Sequence, residues 1–248
     1  MNIELLRQNK SAWEEASERF FGRDPLPSYG PMTPSEDSLQ LFQNLKGAKV
    51  LDLGCGSGHS LKYMERKGAS ELWGIDLSNS QIEAARNVLS STDLPIHLLE
   101  LPMEMNEGIP TNYFDVIYSI YAVGWTTHLE KTFMNVSSYL KQGGQFIFSW
   151  EHPMYNRLNF IENSMVMEKT YLEEGIYRHP AWNEPAYMQQ VKISTYVNLL
   201  ISAGFHIKQI VEESEFANED YSRSSNRWYN ASKASYIPTT IIFSCVKV

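Results

Sequence analysis

One stretch constrains this chain more than any other: Val50-Leu51-Asp52-Leu53-Gly54-Cys55-Gly56-Ser57-Gly58-His59. A short apolar strand runs straight into alternating glycines, and a helical pattern follows to Arg66. Glycine allows the sharp turn and lets backbone approach a ligand closely. The stretch is therefore a nucleotide-binding turn at the carboxyl end of a strand.

The flanking residues say which nucleotide. The third glycine of a dinucleotide fingerprint, G-x-G-x-x-G, falls on His59. Asp52, two residues before Gly54, would repel a pyrophosphate but suits a ligand carrying ammonium and sulfonium charge. Asp76 closes the next apolar run, at the distance where an acid accepts hydrogen bonds from both ribose hydroxyls and clashes with a 2′-phosphate. One acid for an amino-acid end and one for a ribose describe S-adenosylmethionine.

Beyond the loop, short apolar strands alternate with helices. Strands are predicted at 49–53, 71–76, 96–101, 114–119 and 145–150, helices at 58–66, 80–89 and 128–140. That alternation requires a parallel sheet covered on both faces. Ser80 with Glu83 offers a capping box, and Gly68 a C-terminal cap. Residues 151–190, rich in aromatics and broken by Pro153, Pro180 and Pro185, are too long for a crossover loop and read as an inserted cap. A helical face returns at Ile193, Tyr196, Val197, Leu200 and Ile201. Strands at 205–211 and 239–248 follow, separated by a polar stretch. Ahead of the sheet, residues 2–21 read as one or two amphipathic helices, and four prolines between 25 and 34 exclude regular structure around Tyr29-Gly30.

With these features the chain resembles the class I, seven-stranded S-adenosylmethionine-dependent methyltransferases, specifically their small-molecule group. The resemblance spans about Lys46 to Trp150. It rests on the glycine loop, Gly74-Ile75-Asp76-Leu77-Ser78, Tyr113-Phe114-Asp115-Val116-Ile117 and Leu140-Lys141-Gln142-Gly143-Gly144, in the family's order. It implies a Rossmann-like α/β fold, a mostly parallel seven-stranded sheet with helices on both faces and an antiparallel last strand. It implies S-adenosylmethionine as cofactor and S-adenosylhomocysteine as product. Gly54, Cys55 and Gly56 then lie along the methionine and ribose, with Asp52 and His59 beside them. Asp76 holds the ribose, Leu77 packs on the adenine, and Ser119, Ile120 and Tyr121 line the methionine. Pro102 stands where many members carry an acid, which leaves Met103 and Glu104 for the adenine edge. The organisation expected is a helical lid with a proline-rich connector at 1–45, Tyr29 serving as its aromatic plug. A methyltransferase domain at 46–248 follows, with the cap insertion at 151–190.

Composition narrows the partners. Lys and Arg number 21 against 29 Asp and Glu, a net charge of −8, so the basic excess of a phosphate-tracking nucleic-acid binder is missing. No apolar run has the length of a membrane span. Two cysteines make no disulfide framework and the first residues show no secretory pattern, so a cytoplasmic protein is expected. No His, Cys and carboxylate group has metal-ligand spacing.

Methyl transfer from a sulfonium needs alignment and dryness, and a base only where the acceptor is protonated. His152 beside Glu151 is the base candidate, the alternative being a histidine bonded within its loop. Trp150, Tyr155, Phe160, Tyr171, Tyr177, Trp182 and Tyr187 either wall an acceptor pocket or form the cap's own core. Arg223, Arg227, Trp228 and Lys233 either meet an anionic substrate or form a solvated loop. The function expected is methyl transfer to a small-molecule acceptor. Its rivals are a nicotinamide-dependent oxidoreductase, against which Asp52 and His59 count, and a non-catalytic S-adenosylmethionine-binding protein of the same fold.

Overall fold

The computed structural model describes residues 2–21, 25–161, 164–179, 182–216 and 229–248. Helix α1 (Ile3–Phe20) is followed by a single turn, α2 (Glu36–Leu39). Then come β1 (Lys49–Leu53), α3 (His59–Arg66), β2 (Glu71–Asp76), α4 (Asn79–Val88), β3 (Ile96–Glu100), β4 (Phe114–Ile120), α5 (Leu129–Tyr139) and β5 (Leu140–Glu151). The insertion holds two hairpins, β6 (Leu158–Ile161) with β7 (Ser164–Met167) and β8 (Gly175–Arg178) with β9 (Tyr187–Gln190). Helix α6 (Ile193–Ser202), β10 (Phe205–Val211), α7 (Ala231–Ala234) and β11 (Thr240–Lys247) complete the chain.

Seven strands form one sheet in the order β3-β2-β1-β4-β5-β11-β10. The first five are parallel, and β11 runs antiparallel between β5 and β10. This is the expected seven-stranded sheet with a reversed last strand. Alternate side chains feed two cores. Leu51, Leu53, Phe146, Phe148 and Phe243 pack on one face with Phe133 of α5 and Tyr196 of α6. Val50, Tyr118, Ile147 and Ile242 pack on the other with Leu61 of α3 and Ile82 of α4.

Two local expectations are corrected. Helix α4 is capped by Ser78, whose hydroxyl accepts the Gln81 N–H, and not by a Ser80–Glu83 box. Ser80 is taken elsewhere, by Glu14 of α1, and Glu83 pairs with Arg86 at 3.3 Å. Strand β5 begins at Leu140, ahead of the glycine pair expected to precede it. A register shift against β4 absorbs the extra residues, and Gly143 supplies a φ of +75°. Of the one or two helices expected at residues 2–21 there is one, α1. The insertion is braced by Arg157, whose buried guanidinium donates to the carbonyls of Pro153 (2.5 Å), Thr170 (3.1 Å) and Glu173 (2.6 Å).

Candidate functional site

Past the carboxyl ends of β1, β2, β4 and β5 lies a cavity of about 730 Å³. Its first wall is the glycine loop. The amides of Gly54 and Cys55 both donate to the Ile75 carbonyl, at 2.8 and 2.9 Å, folding the loop over the end of β2. Gly54 has a φ of +77°, and a Cβ there would overlap Ala122 and meet Met103 at 2.9 Å, so conformation and space both require glycine. The Gly56 amide donates to Asp76 Oδ2 and the Ser78 amide to Asp76 Oδ1, each at 2.9 Å. Asp76 thus ties two loops together at the rim of the cavity. A Cβ on Gly56 would meet nothing closer than Gln81 Oε1 at 3.8 Å, so the loop presents bare backbone to the open space.

The electrostatics are acidic. Burial pushes the Asp76 carboxyl up to about 6, against the pull of the Ser78 and Gly56 amides. Asp52 is buried and held well above the usual carboxylate range by burial, with the charge of Asp76 adding to the push. Burial and the same two acids raise the Cys55 thiol well above its ordinary value, which leaves it inert as a nucleophile. Among the described lining residues the acids are Asp52, Asp76 and Glu104, and none is a Lys or Arg. His179 is pushed down to about 4 by burial and is neutral at physiological pH. A pyrophosphate meets no Lys or Arg among the described residues of these walls. A ligand with ribose hydroxyls and a cationic amino-acid end fits both the acids and the bare loop.

Most residues expected to face the cofactor share this one cavity: Asp52, Gly54, Cys55, Gly56, His59, Asp76, Leu77, Met103, Glu104, Ile120 and Tyr121 all line it. His59 starts α3 with its Nδ1 on Ser57 Oγ at 2.9 Å. Glu104 has one carboxylate oxygen committed to Thr127, accepting from the amide at 2.5 Å and the hydroxyl at 2.8 Å. Ser119 lies behind the wall, its hydroxyl donating to the Leu53 carbonyl at 2.8 Å and joining β4 to β1. Tyr29 is not the plug expected of it. Its ring is buried against Phe42, and its hydroxyl donates to Glu36 Oε2 at 2.5 Å. The Glu36 carboxylate also takes the amides of Leu41 and Phe42, and this polar knot draws Tyr29 inward. Ser28, Gly30 and Pro31 face the cavity in its place.

Neither His152 nor Glu151 lines the cavity. The Met154 amide donates to His152 Nδ1 at 3.2 Å, so Nε2 carries the proton and donates to Glu212 Oε1 at 2.8 Å. Both ring nitrogens are occupied away from the cavity, as a brace between loops. The base role expected of His152 has no geometry to support it. Glu151 is 3% exposed and accepts the Tyr229 hydroxyl at 3.0 Å. Tyr229 does line the cavity, so Glu151 reaches it through that residue. Lys233 is buried with its ammonium 3.9 Å from the centre of the Tyr155 ring. Burial lowers its pKa to about 8. Arg223, Arg227 and Trp228 lie outside the described residues.

The far end of the cavity is aromatic. Trp125 meets Trp13 at 5.4 Å, Trp182 at 5.2 Å and Trp150 at 5.8 Å, each edge to face. Two residues that close it were not foreseen. Asn9 joins α1 to β9 through paired bonds with the Tyr187 backbone. Glu14 accepts the Asn79 and Ser80 amides at 2.7 and 3.1 Å, placing a negative charge on the first turn of α4. Tyr121 was foreseen, but not its left-handed φ of +55°, which turns the chain where β4 ends. Asn9 and Glu14 carry no sequence signal, since an amphipathic helix is expected to show polar residues.

A methyltransferase-domain family model matches residues 51–148. An uncharacterized protein of Haemophilus influenzae is 30% identical over 223 residues, 85% of this chain and 85% of that one. A tRNA U34 carboxymethyltransferase of Hydrogenovibrio crunogenus is 33% identical over 110 residues, 43% of this chain, and the chain spans 33% of that relative's length. The crystal structure of an S-adenosylmethionine dependent methyltransferase from Mesorhizobium loti shares the fold, with a TM-score of 0.72 at 23% identity, covering 91% of this chain and 99% of that one. With a matched catalytic domain, a seven-stranded sheet of the expected order and a glycine loop paired with two acids, the chain belongs to the class I S-adenosylmethionine-dependent methyltransferases.

Proposed function

We propose that the protein transfers the methyl group of S-adenosylmethionine to a small molecule seated in the aromatic end of the cavity. The observation that carries this reading is the cavity's two-part wall: glycine loop and acids at one end, four tryptophans at the other, one continuous space between them. Asp76 holds the ribose hydroxyls, Asp52 the cationic amino-acid end, and Leu77 and Met103 flank the adenine. When bound, the sulfonium supplies a methyl group activated for in-line displacement. The chain's own task is to align the acceptor and keep water out, which α1 and the β8–β9 hairpin do by closing over the tryptophans. The volume suits small ligands and not a folded nucleic acid. Two free, buried cysteines suit the reducing cytoplasm.

Calorimetry with S-adenosylhomocysteine and NAD, followed by a screen of metabolite pools with methyl-labelled donor, tests the reading. Binding of the sulfur nucleoside alone and a labelled small product are expected. Label recovered only in RNA would replace the acceptor class, and NAD binding in place of the nucleoside would replace the chemistry.

A further inference from the structure

We infer that the acceptor carries an ammonium group, that Glu104 anchors this group, and that the tryptophans hold the body to which it is attached. The inference rests on the reading of the cavity as a methyl-transfer site, and names the class of molecule its acceptor end takes.

Glu104 is the lining acid that the cofactor leaves over. On the methyl-transfer reading the ribose takes Asp76 and the amino-acid end takes Asp52. Glu104 comes from the turn after β3, which α5 clamps from behind. Asn135 Nδ2 donates to the Met103 carbonyl and the Tyr139 hydroxyl to the Met105 carbonyl, each at 3.2 Å. The side chain is clamped as well, since Oε1 accepts both the amide and the hydroxyl of Thr127. Thr127 stands two residues beyond Trp125, on the segment that carries the aromatic end. Glu104 is 1% exposed, yet it lines the cavity. Its second oxygen, Oε2, accepts from no described residue and is not walled off, so it opens on this space. A buried carboxylate oxygen held in one place is stabilised by a donor from the ligand, and most by a charged one.

The rest of the wall agrees. Trp13, Trp125, Trp150 and Trp182 line it, and indole is the side chain whose π face attracts an organic cation best. His179 on the same wall is neutral at physiological pH, because burial has pushed it down to about 4. It therefore sets no positive charge against a bound ammonium. A neutral hydroxyl would also reach Oε2, but it would leave the carboxylate charge uncompensated and bring no cation to the indoles.

The test is calorimetry on the full chain saturated with S-adenosylhomocysteine, so that Asp52 and Asp76 are already occupied. The probes are tryptamine and tryptophol, which share one ring and chain and differ in an amine against a hydroxyl. At pH 7.5, where the amine is protonated, tryptamine should bind at least about tenfold more tightly. Glu104→Gln can keep the Thr127 bonds through its carbonyl oxygen but turns an amide N–H₂ to the cavity. It should bring tryptamine down to the affinity of tryptophol while S-adenosylhomocysteine binds as in the parent. Should that variant fail to fold, Thr127→Val, which frees the Glu104 side chain, should narrow the preference. The inference is overturned if the parent shows no preference for tryptamine, or if the preference survives the variant. Glu104→Gln that weakens S-adenosylhomocysteine and keeps the amine preference also overturns it, and moves Glu104 to the adenine edge. S-adenosylhomocysteine that does not bind the parent brings down the methyl-transfer reading; S-adenosylhomocysteine that binds without an amine preference brings down this inference alone.

Discussion

Asn9 and Tyr187 pair as two strands do: Asn9 Nδ2 donates to the Tyr187 carbonyl at 2.8 Å, and the Tyr187 amide donates to Asn9 Oδ1 at 2.7 Å. The same Nδ2 reaches the Trp125 carbonyl at 3.2 Å. One fully buried side chain therefore latches α1 to the hairpin that covers the cavity from the other side. Asn9→Ala strands a backbone donor and two carbonyls, and should cost about 1–3 kcal/mol in urea unfolding. Arg7→Ala, on an exposed face of the same helix, should change stability by less than about 0.5 kcal/mol. Equal midpoints for the two variants would show that the latch carries no load.

Covers that must admit a ligand are drawn from the less stable parts of a fold. Leu6 and Trp13 of α1, with Pro25, Ser28, Gly30 and Pro31, line the cavity while the latch holds them in place. Amide exchange across residues 3–20 should slow on adding S-adenosylhomocysteine, and the amides of β4 should not respond. Identical exchange with and without the nucleoside would make α1 fixed packing.

The acid of the second strand sets a pH dependence. A carboxyl raised to about 6 by burial is charged at a cost to the free protein. Stability from this group is full below the unfolded-state value and is lost as pH rises from about 4 through 6. Binding has the opposite sign, because both ribose hydroxyls donate to the ionised form. Affinity for S-adenosylhomocysteine should be level above pH 7 and fall by about tenfold per unit below 6. Asp76→Asn should lower affinity at least about tenfold at pH 7.5 and flatten the profile. A parent profile that is flat down to pH 5 would detach Asp76 from the ribose.

Gly124 sits where a Cβ would overlap the indole ring of Trp150. Gly124→Ala should force Trp150 out of its place, costing about 1–3 kcal/mol and altering the near-ultraviolet dichroism of the tryptophan group. An unchanged spectrum with unchanged stability would show that the wall yields without moving Trp150.

The parts of this molecule that were legible beforehand are those governed by neighbours in sequence. Asp52, Gly54 and Gly56 announce themselves because strand, turn and acid follow one another within a few residues, and Asp76 because it closes the very next strand. The misread positions are polar side chains whose partners come from elsewhere. His152 is claimed by Glu212, and Ser80 by Glu14, 60 and 66 positions away. Tyr29 is claimed by Glu36 on the adjoining turn. Tyr229 gave no signal in a polar stretch, since its meaning comes from a glutamate 78 positions earlier. Periodicity finds the elements, but it is blind to which buried carboxylate a hydroxyl will meet.

The pairing of chain-distant segments also orders the molecule in time. The Thr239 hydroxyl donates to the Pro31 carbonyl 208 positions away, and the Tyr121 hydroxyl shares a hydrogen bond with Thr240 at 2.8 Å. Strands β1 to β4 join through short local crossovers, whereas β11 must slot between β5 and β10 after both have been made. Closing such long loops delays their contacts relative to the local ones. A chain emerging from the ribosome thus holds the glycine turn of β1 long before β11 joins β5 to β10, so shorter chains carry the recognition turn on an unfinished sheet.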